Sequence, residues 1–171
     1  HAKNRSLWLM LLMLSATVSG EILAHYEKAM AAMPVLITFI PMLMGTSGNS
    51  GSQSSTMVIR GLAVGEIQFK DFFRVVFKEI RVALIVGVLL AIVNGIRVYL
   101  MYDQDLTLAI AIGVTMIAIV CMAKCVGCTL PLLAKKIGLD PALMAAPLIS
   151  TIMDTCTILM YFAIITALYR M

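Results

Sequence analysis

The sequence predicts an all-α integral membrane protein with five transmembrane helices and an interfacial amphipathic helix between spans 2 and 3. Three observations predict it. Of 171 residues, 61% are hydrophobic and 13% charged, against about 25% charged in an ordinary soluble domain, and the mean hydropathy is +1.00. A span takes about 20 apolar residues, so five use about 100 positions and leave about 70 for connections, too few for a soluble domain as well. Finally, the apolar residues fall into five runs separated by short polar or basic stretches. Residues 1–171 are therefore expected to form a single transmembrane domain. The chain opens at His1 rather than Met, as expected of a fragment of a longer protein.

The first run, residues 7–23, has no small-residue cleavage site leading into a soluble region, so it reads as a retained span rather than a signal peptide. Glu21 near its outer end, with His25 and Glu27 just beyond, forms a polar cluster at the interface. Glu27 is also placed to gather cations at an outer mouth.

The second run, residues 34–59, is interrupted by nine consecutive small or polar residues, Gly45-Thr46-Ser47-Gly48-Asn49-Ser50-Gly51-Ser52-Gln53. Lipid cannot solvate such a stretch, so this helix is expected to line a cavity or a tight helix contact. Gly45, Asn49 and Gln53 recur at i, i+4 and i+8 and share one face, with Gly48 a further lining candidate. Amide and carbonyl oxygens suit hard cations or their hydration water. Glycine and serine also permit close helix packing, and both readings stand at this point.

Between spans 2 and 3, Phe69, Phe72, Phe73, Val76, Phe77 and Ile80 follow helical spacing, with Lys70, Arg74, Lys78 and Arg81 on other faces. This pattern fits a helix lying on the membrane surface, and equally a stripe packed on the protein's own spans. The third span covers 82–102, where Asn94 is placed to bond across helices or line a pathway. The fourth covers 106–123 with room for extension, and the fifth 141–168. In the outer loop at 103–105, Asp103 and Asp105 are expected to be solvated.

Asp154 is the only Asp, Glu, Lys, Arg or His between 141 and 168. It lies about 13 residues, or ~20 Å, from either end, which puts it near mid-membrane. A carboxylate there usually faces a pathway or pairs with a base. With no Lys or Arg evident at its depth, an incoming cation is the natural partner. Ala146, Ser150 and Asp154 form a ladder on one face, with Pro147 able to open the helix locally. Asp140 stands just before Pro141, where it can cap the fifth helix. About 14 residues, or ~21 Å, separate it from Asp154, so the two acids cannot share one ion.

Cys121, Cys125 and Cys128 superficially resemble a zinc or redox motif, but no second Cys or His pair stands at suitable spacing, so apolar packing is expected. Methionine, at 14 residues, is scattered and reads as span filling.

Orientation follows from Lys and Arg. With the amino terminus inside, ten fall inside (Lys3, Arg5, Arg60, Lys70, Arg74, Lys78, Arg81, Lys124, Lys135, Lys136) and three outside (Lys28, Arg97, Arg170). This bias places the amino terminus in the cytoplasm and, with five spans, the carboxyl terminus outside. The net charge of +4 then reports topology, and nucleic acid is not an expected partner.

Gly48-Asn49-Ser50-Gly51-Ser52-Gln53, then Arg60-Gly61-Leu62-Ala63-Val64-Gly65-Glu66, and Gly138-Leu139-Asp140-Pro141-Ala142-Leu143 through Asp154 and Tyr161-Phe162 resemble the MgtE family of magnesium channels and transporters. Tyr26-Glu27 and Leu130-Pro131-Leu132-Leu133 also look like that family's pattern, so the resemblance covers nearly the whole chain. It implies a homodimer of five-span protomers in a bilayer, here a bacterial inner membrane, with a magnesium pore lined by spans 2 and 5 near the dimer axis. It implies that Asp154 binds hydrated magnesium, helped by Gly45 and Asn49, and that Asp140 lies near the cytoplasmic mouth. Mg2+ is then the transported ion, with no organic cofactor. Bacterial members commonly carry soluble amino-terminal and CBS domains, and this chain contains neither. Ala146 replaces an Asn found in some members, and Thr155-Cys156-Thr157 replaces the common Val-Thr-Gly.

Two other functions compete. A sodium- or proton-coupled magnesium exchanger would use the same site. An intramembrane serine protease would explain Gly48-Asn49-Ser50-Gly51 as a GxSG motif, but such chemistry needs a histidine base, and besides His1 the chain offers only His25 at the outer edge of span 1. The protein is therefore not expected to be an enzyme.

Overall fold

A computed structural model describes residues 2–103, 105–138 and 140–169; the side chains of 2–5, 7, 8, 11 and 142–147 lie outside the described residues. The described residues are all-helical: α1 (Ala2–His25), α2 (Glu27–Ala32), α3 (Leu36–Ala63), a 3-10 turn (Phe69–Asp71), α4 (Phe72–Met101), α5 (Leu106–Lys136) and α6 (Pro141–Tyr169). Each of the five apolar runs is carried by one long helix, with Pro34, Val35 and Tyr102 of the expected spans falling just outside. By length and composition, α5 and the Leu148–Tyr169 stretch of α6 are apolar enough to cross a membrane.

The helices end where local chemistry stops them. Gly65 (φ 78) and Gly138 (φ 77) follow α3 and α5 in the left-handed conformation that terminates a helix cheaply only in glycine. At the start of α5 the Asp105 carboxylate accepts from the Leu108 N–H at 3.0 Å, a side-chain N-cap. Its second oxygen accepts from the Tyr169 hydroxyl at 3.1 Å, tying the end of α6 to the start of α5. Asp105 is thus structural rather than merely solvated.

One boundary differs from the sequence reading. The segment 69–81 is not a separate helix: after the 3-10 turn it runs into α4 without a break, because neither Pro nor Gly stands between Phe72 and Gly87 to interrupt it. Its aromatic stripe is divided. Phe73 and Phe77 are 82% and 69% exposed, whereas Phe72 packs beside Val58, Val75, Cys128 and Leu132.

α5 lies against α3, α4 and α6, and α1 lies against α6. The interior changes character along α3. At its first half, Leu36, Phe39 and Leu43 pack with Ile112, Met116, Ile119, Tyr161 and Phe162 in the largest apolar cluster. At its last turns Val58 joins the small cluster with Val75, Cys128 and Leu132. Between them the buried face of α3 is polar, presenting Ser47, Ser50, Ser54 and Ser55. There α3 and α5 approach so closely that a Cβ on Gly127 would collide with the Gly51 carbonyl. Hydrogen at position 127 is what allows this crossing, while a Cβ on Gly51 would press on Ile149 at 3.0 Å.

Candidate functional site

The polar stretch of α3 has two faces. Gly45, Asn49 and Gln53 are exposed, as the i, i+4, i+8 spacing requires of one stripe, while Ser47, Ser50, Gly51, Ser54 and Ser55 are buried. The exposed face forms an open groove of about 640 Å³ lined by Asn49, Ser52, Gln53, Thr56, Met57 and Arg60. This wall offers amide and hydroxyl oxygens over about two turns, with the Arg60 guanidinium at its carboxyl-terminal end. The Gly/Ser stretch thus packs closely on one side of the helix and lines an open groove on the other. Gly48 sits half-buried between them.

Asp154 is half-buried on α6, and helix register fixes its level. The Thr157 hydroxyl donates to Ser47 Oγ at 2.7 Å, while the space above Gly51 is closed by Ile149 and Met153. α3 and α6 thus run antiparallel, and Asp154, between Met153 and Thr157, stands level with residues 48–50 of α3. The carboxylate and the Asn49 amide share a depth, with Gly45 one turn away. The neighbouring Thr155 hydroxyl is used elsewhere, hydrogen-bonded to Ser19 Oγ of α1 at 3.0 Å.

Other expected site residues are more scattered. Ser150 is exposed one turn before Asp154. Ala146 belongs to the part of α6 whose side chains lie outside the described residues. Asp140 is exposed immediately before Pro141, the first residue of α6. Glu27 is exposed as the first residue of α2. Of the expected site residues only Asn49 and Gln53 line the groove, and Asp154, Gly45, Gly48, Ser150 and Asn94 are not in its lining; Asn94 Nδ2 donates to the Leu90 carbonyl of its own helix at 3.2 Å. Among the described residues no three His, Cys, Asp or Glu side chains converge on one point. The donors at the level of Asp154 are thus one carboxylate and neutral oxygens, a set that suits an ion retaining much of its water.

The sequence reading missed a buried ionic cluster. Lys124, counted among the inside loop charges, lies within α5, about 12 residues or ~18 Å before its end. Its ammonium stands 3.6 Å from Glu79 Oε2 of α4 and donates to Ser54 Oγ of α3 at 3.3 Å. The Ser54 hydroxyl in turn donates to Glu79 Oε2. Both charged side chains are more than nine-tenths buried. Lys124 therefore has a carboxylate partner other than Asp154. The basic-residue count becomes nine inside (ten minus Lys124) against three outside, with the same sign. Glu79 was legible in one respect: it recurs at four-residue spacing with Val75, Ala83 and Gly87, all buried on α4.

Against known families, the profile of MgtE, described as a divalent cation transporter, matches residues 40–164. That stretch holds the polar part of α3, the ionic cluster and Asp154. The chain belongs to the MgtE family. It is similar to the protein named magnesium transporter MgtE in Thermus thermophilus, 37% identical over 92% of this chain and 34% of that protein. It is 32% identical to the Bacillus subtilis protein of the same name over 97% of this chain and 37% of that one. The corresponding Enterococcus faecalis protein is 30% identical over 99% of this chain and 37% of its own length. The chain thus spans about a third of the length of these relatives. MgtE proteins are membrane transporters and not enzymes, which sets aside the protease reading of Gly48 to Gly51.

Proposed function

We propose that this chain carries magnesium across a membrane through a pore walled by the exposed face of α3 and by α6, with Asp154 as the ion-selecting carboxylate. The observation that carries the reading is the antiparallel register that brings Asp154 level with Asn49, on a helix whose Gly45, Asn49 and Gln53 face is open. Magnesium gives up its water reluctantly. Asp154 supplies charge to the hydrated ion, while Asn49, Gln53 and the backbone bared at Gly45 hold its water. Asp140 stands at the inner mouth and Glu27 at the outer one.

A polar groove at membrane depth cannot face lipid. Its natural cover is a second copy of the chain, whose two-fold axis would set two Asp154 carboxylates and two α3 faces around one path. In this reading α1, α3 and α4 also cross the bilayer: at 24, 28 and 30 residues they reach about 36–45 Å, beyond the ~30 Å hydrocarbon core. The first turns of α4 lie at the inner interface, where exposed Phe73 and Phe77 enter lipid beside Arg74, Lys78 and Arg81. The nine-to-three basic bias puts the amino terminus in the cytoplasm and the carboxyl terminus outside a bacterial inner membrane.

The test is magnesium uptake into proteoliposomes by the wild type and Asp154→Ala at matched incorporation, with and without opposing sodium and proton gradients. Uptake should fall to background in the variant and be indifferent to the gradients in the parent. Undiminished uptake by a folded variant overturns the assignment of Asp154. Uptake that requires a counter-gradient replaces the channel with the coupled exchanger.

A further inference from the structure

We propose that Ser54, Glu79 and Lys124 form a register pin for α3: positioning residues that fix which side of the helix faces the groove, and hence which cation the groove accepts. The inference rests on the magnesium pathway proposed above for its functional consequence, though not for its structural one.

From Gly45 to Thr56 the helix carries no large apolar side chain. Interdigitating side chains ordinarily fix a helix's rotation and axial position; here they are missing. Where the Gly51 and Gly127 backbones meet, no side chain interlocks α3 with α5, and only Ile149 and Met153 of α6 seat against Gly51. Directional bonds must do this instead, and two sets hold the stretch. Near its start Thr157 donates to Ser47. Near its end Ser54 stands between an acid and a base that belong to two other helices. Ser55 or Ser50 could occupy the same place after a slip of one residue or one turn. A one-residue slip turns the helix by about 100° and would carry Asn49 and Gln53 out of the groove. Either slip would set Gly48 or Leu43 opposite Thr157 where Ser47 stands, leaving a buried hydroxyl without its bond, so the charged pair and the Thr157 bond together select the native register. Fixing register is the best-attested use of buried polar groups, whose net effect on stability is often nil. All three are buried on the side of α3 away from its exposed face, so they act through α3 and not on the ion.

The decisive variant is Glu79→Leu with Lys124→Met, which removes both charges while keeping volume and is expected to fold. In a cysteine-free background, single cysteines replace Asn49 or Gln53 on the open face and Ser50 or Ser55 on the buried face, and their labelling by a hydrophilic thiol reagent is timed. The wild-type pair should show fast open-face and slow buried-face labelling. In the double variant that contrast should shrink by about two- to tenfold, the range expected when one net hydrogen bond is lost, and the preference for magnesium over calcium flux should fall with it. Lys124→Arg should retain both. Ser54→Ala, which keeps the charges paired and tests the pin if the double variant does not fold, should reduce the contrast to a lesser degree. A folded double variant, or Ser54→Ala, with the parental contrast overturns the proposal. The labelling contrast needs no transport, so absence of magnesium flux in the parent would count against the proposed function and leave the pin to be judged on labelling.

Discussion

The two faces of α3 are built from nearly the same residue types and meet opposite fates. On one side Ser47, Ser50, Ser54 and Ser55 are buried, and Ser47 and Ser54 are bonded to side chains of other helices. On the other, Asn49, Ser52, Gln53 and Thr56 stand open along a groove. A run of small polar residues therefore says little by itself about packing or passage; what decides is the partner each face meets. The buried face meets charges and hydroxyls presented by α4, α5 and α6. Among the described residues no side chain closes the open face, and, if α3 crosses the bilayer as proposed, its polar atoms call for an ion, water or a second protomer.

This contrast predicts unequal consequences of mutation. The largest should come from Lys124→Met alone, which strands the Glu79 carboxylate in the interior and should destabilise by about 3–5 kcal/mol, read as a loss of thermal unfolding temperature in detergent. Leu43→Ala, in the apolar half of the same helix and wholly buried, should cost about 2–5 kcal/mol by leaving a cavity. A smaller loss for Lys124→Met than for Leu43→Ala would mean that the apolar half, rather than the ionic cluster, dominates the hold on α3. Thr157→Val removes one hydroxyl hydrogen bond to Ser47 and should cost about 1 kcal/mol. Asn49→Ala and Gln53→Ala should change stability by less than about 0.5 kcal/mol while impairing magnesium flux. If either of these destabilised as strongly as Thr157→Val, the open face would prove to be a packed one.

Much of this architecture was legible in the sequence because hydropathy and helix period are local signals. The five apolar runs are each carried by one long helix, and the Gly45, Asn49, Gln53 spacing correctly gathers one exposed stripe. Asp154 stood out as the lone acid of its run, although its level against Asn49 depends on how α3 and α6 slide past each other, which no local pattern encodes. Lys124 was misjudged for the same reason: it was counted with the inside charges, Glu79 was not singled out, and only the packing of three helices brings the two together around Ser54. The surface helix over 69–81 was separated from the third span by its change in composition, yet the backbone responds to Pro and Gly rather than to polarity, and none intervenes before Gly87.

The central claim is that ions travel along the open face of α3, and attachment of a bulky group there tests it most directly. Gln53→Cys, Ser55→Cys and Leu89→Cys are prepared in a cysteine-free background, and magnesium flux is measured in proteoliposomes before and after treatment with a membrane-permeant, bulky thiol reagent. Leu89 is 60% exposed on α4 and serves as a modified position away from the groove. The account predicts that modification at Gln53→Cys abolishes flux and at Leu89→Cys leaves it intact, while Ser55→Cys stays unmodified. Full flux through a quantitatively modified Gln53→Cys protein would contradict it.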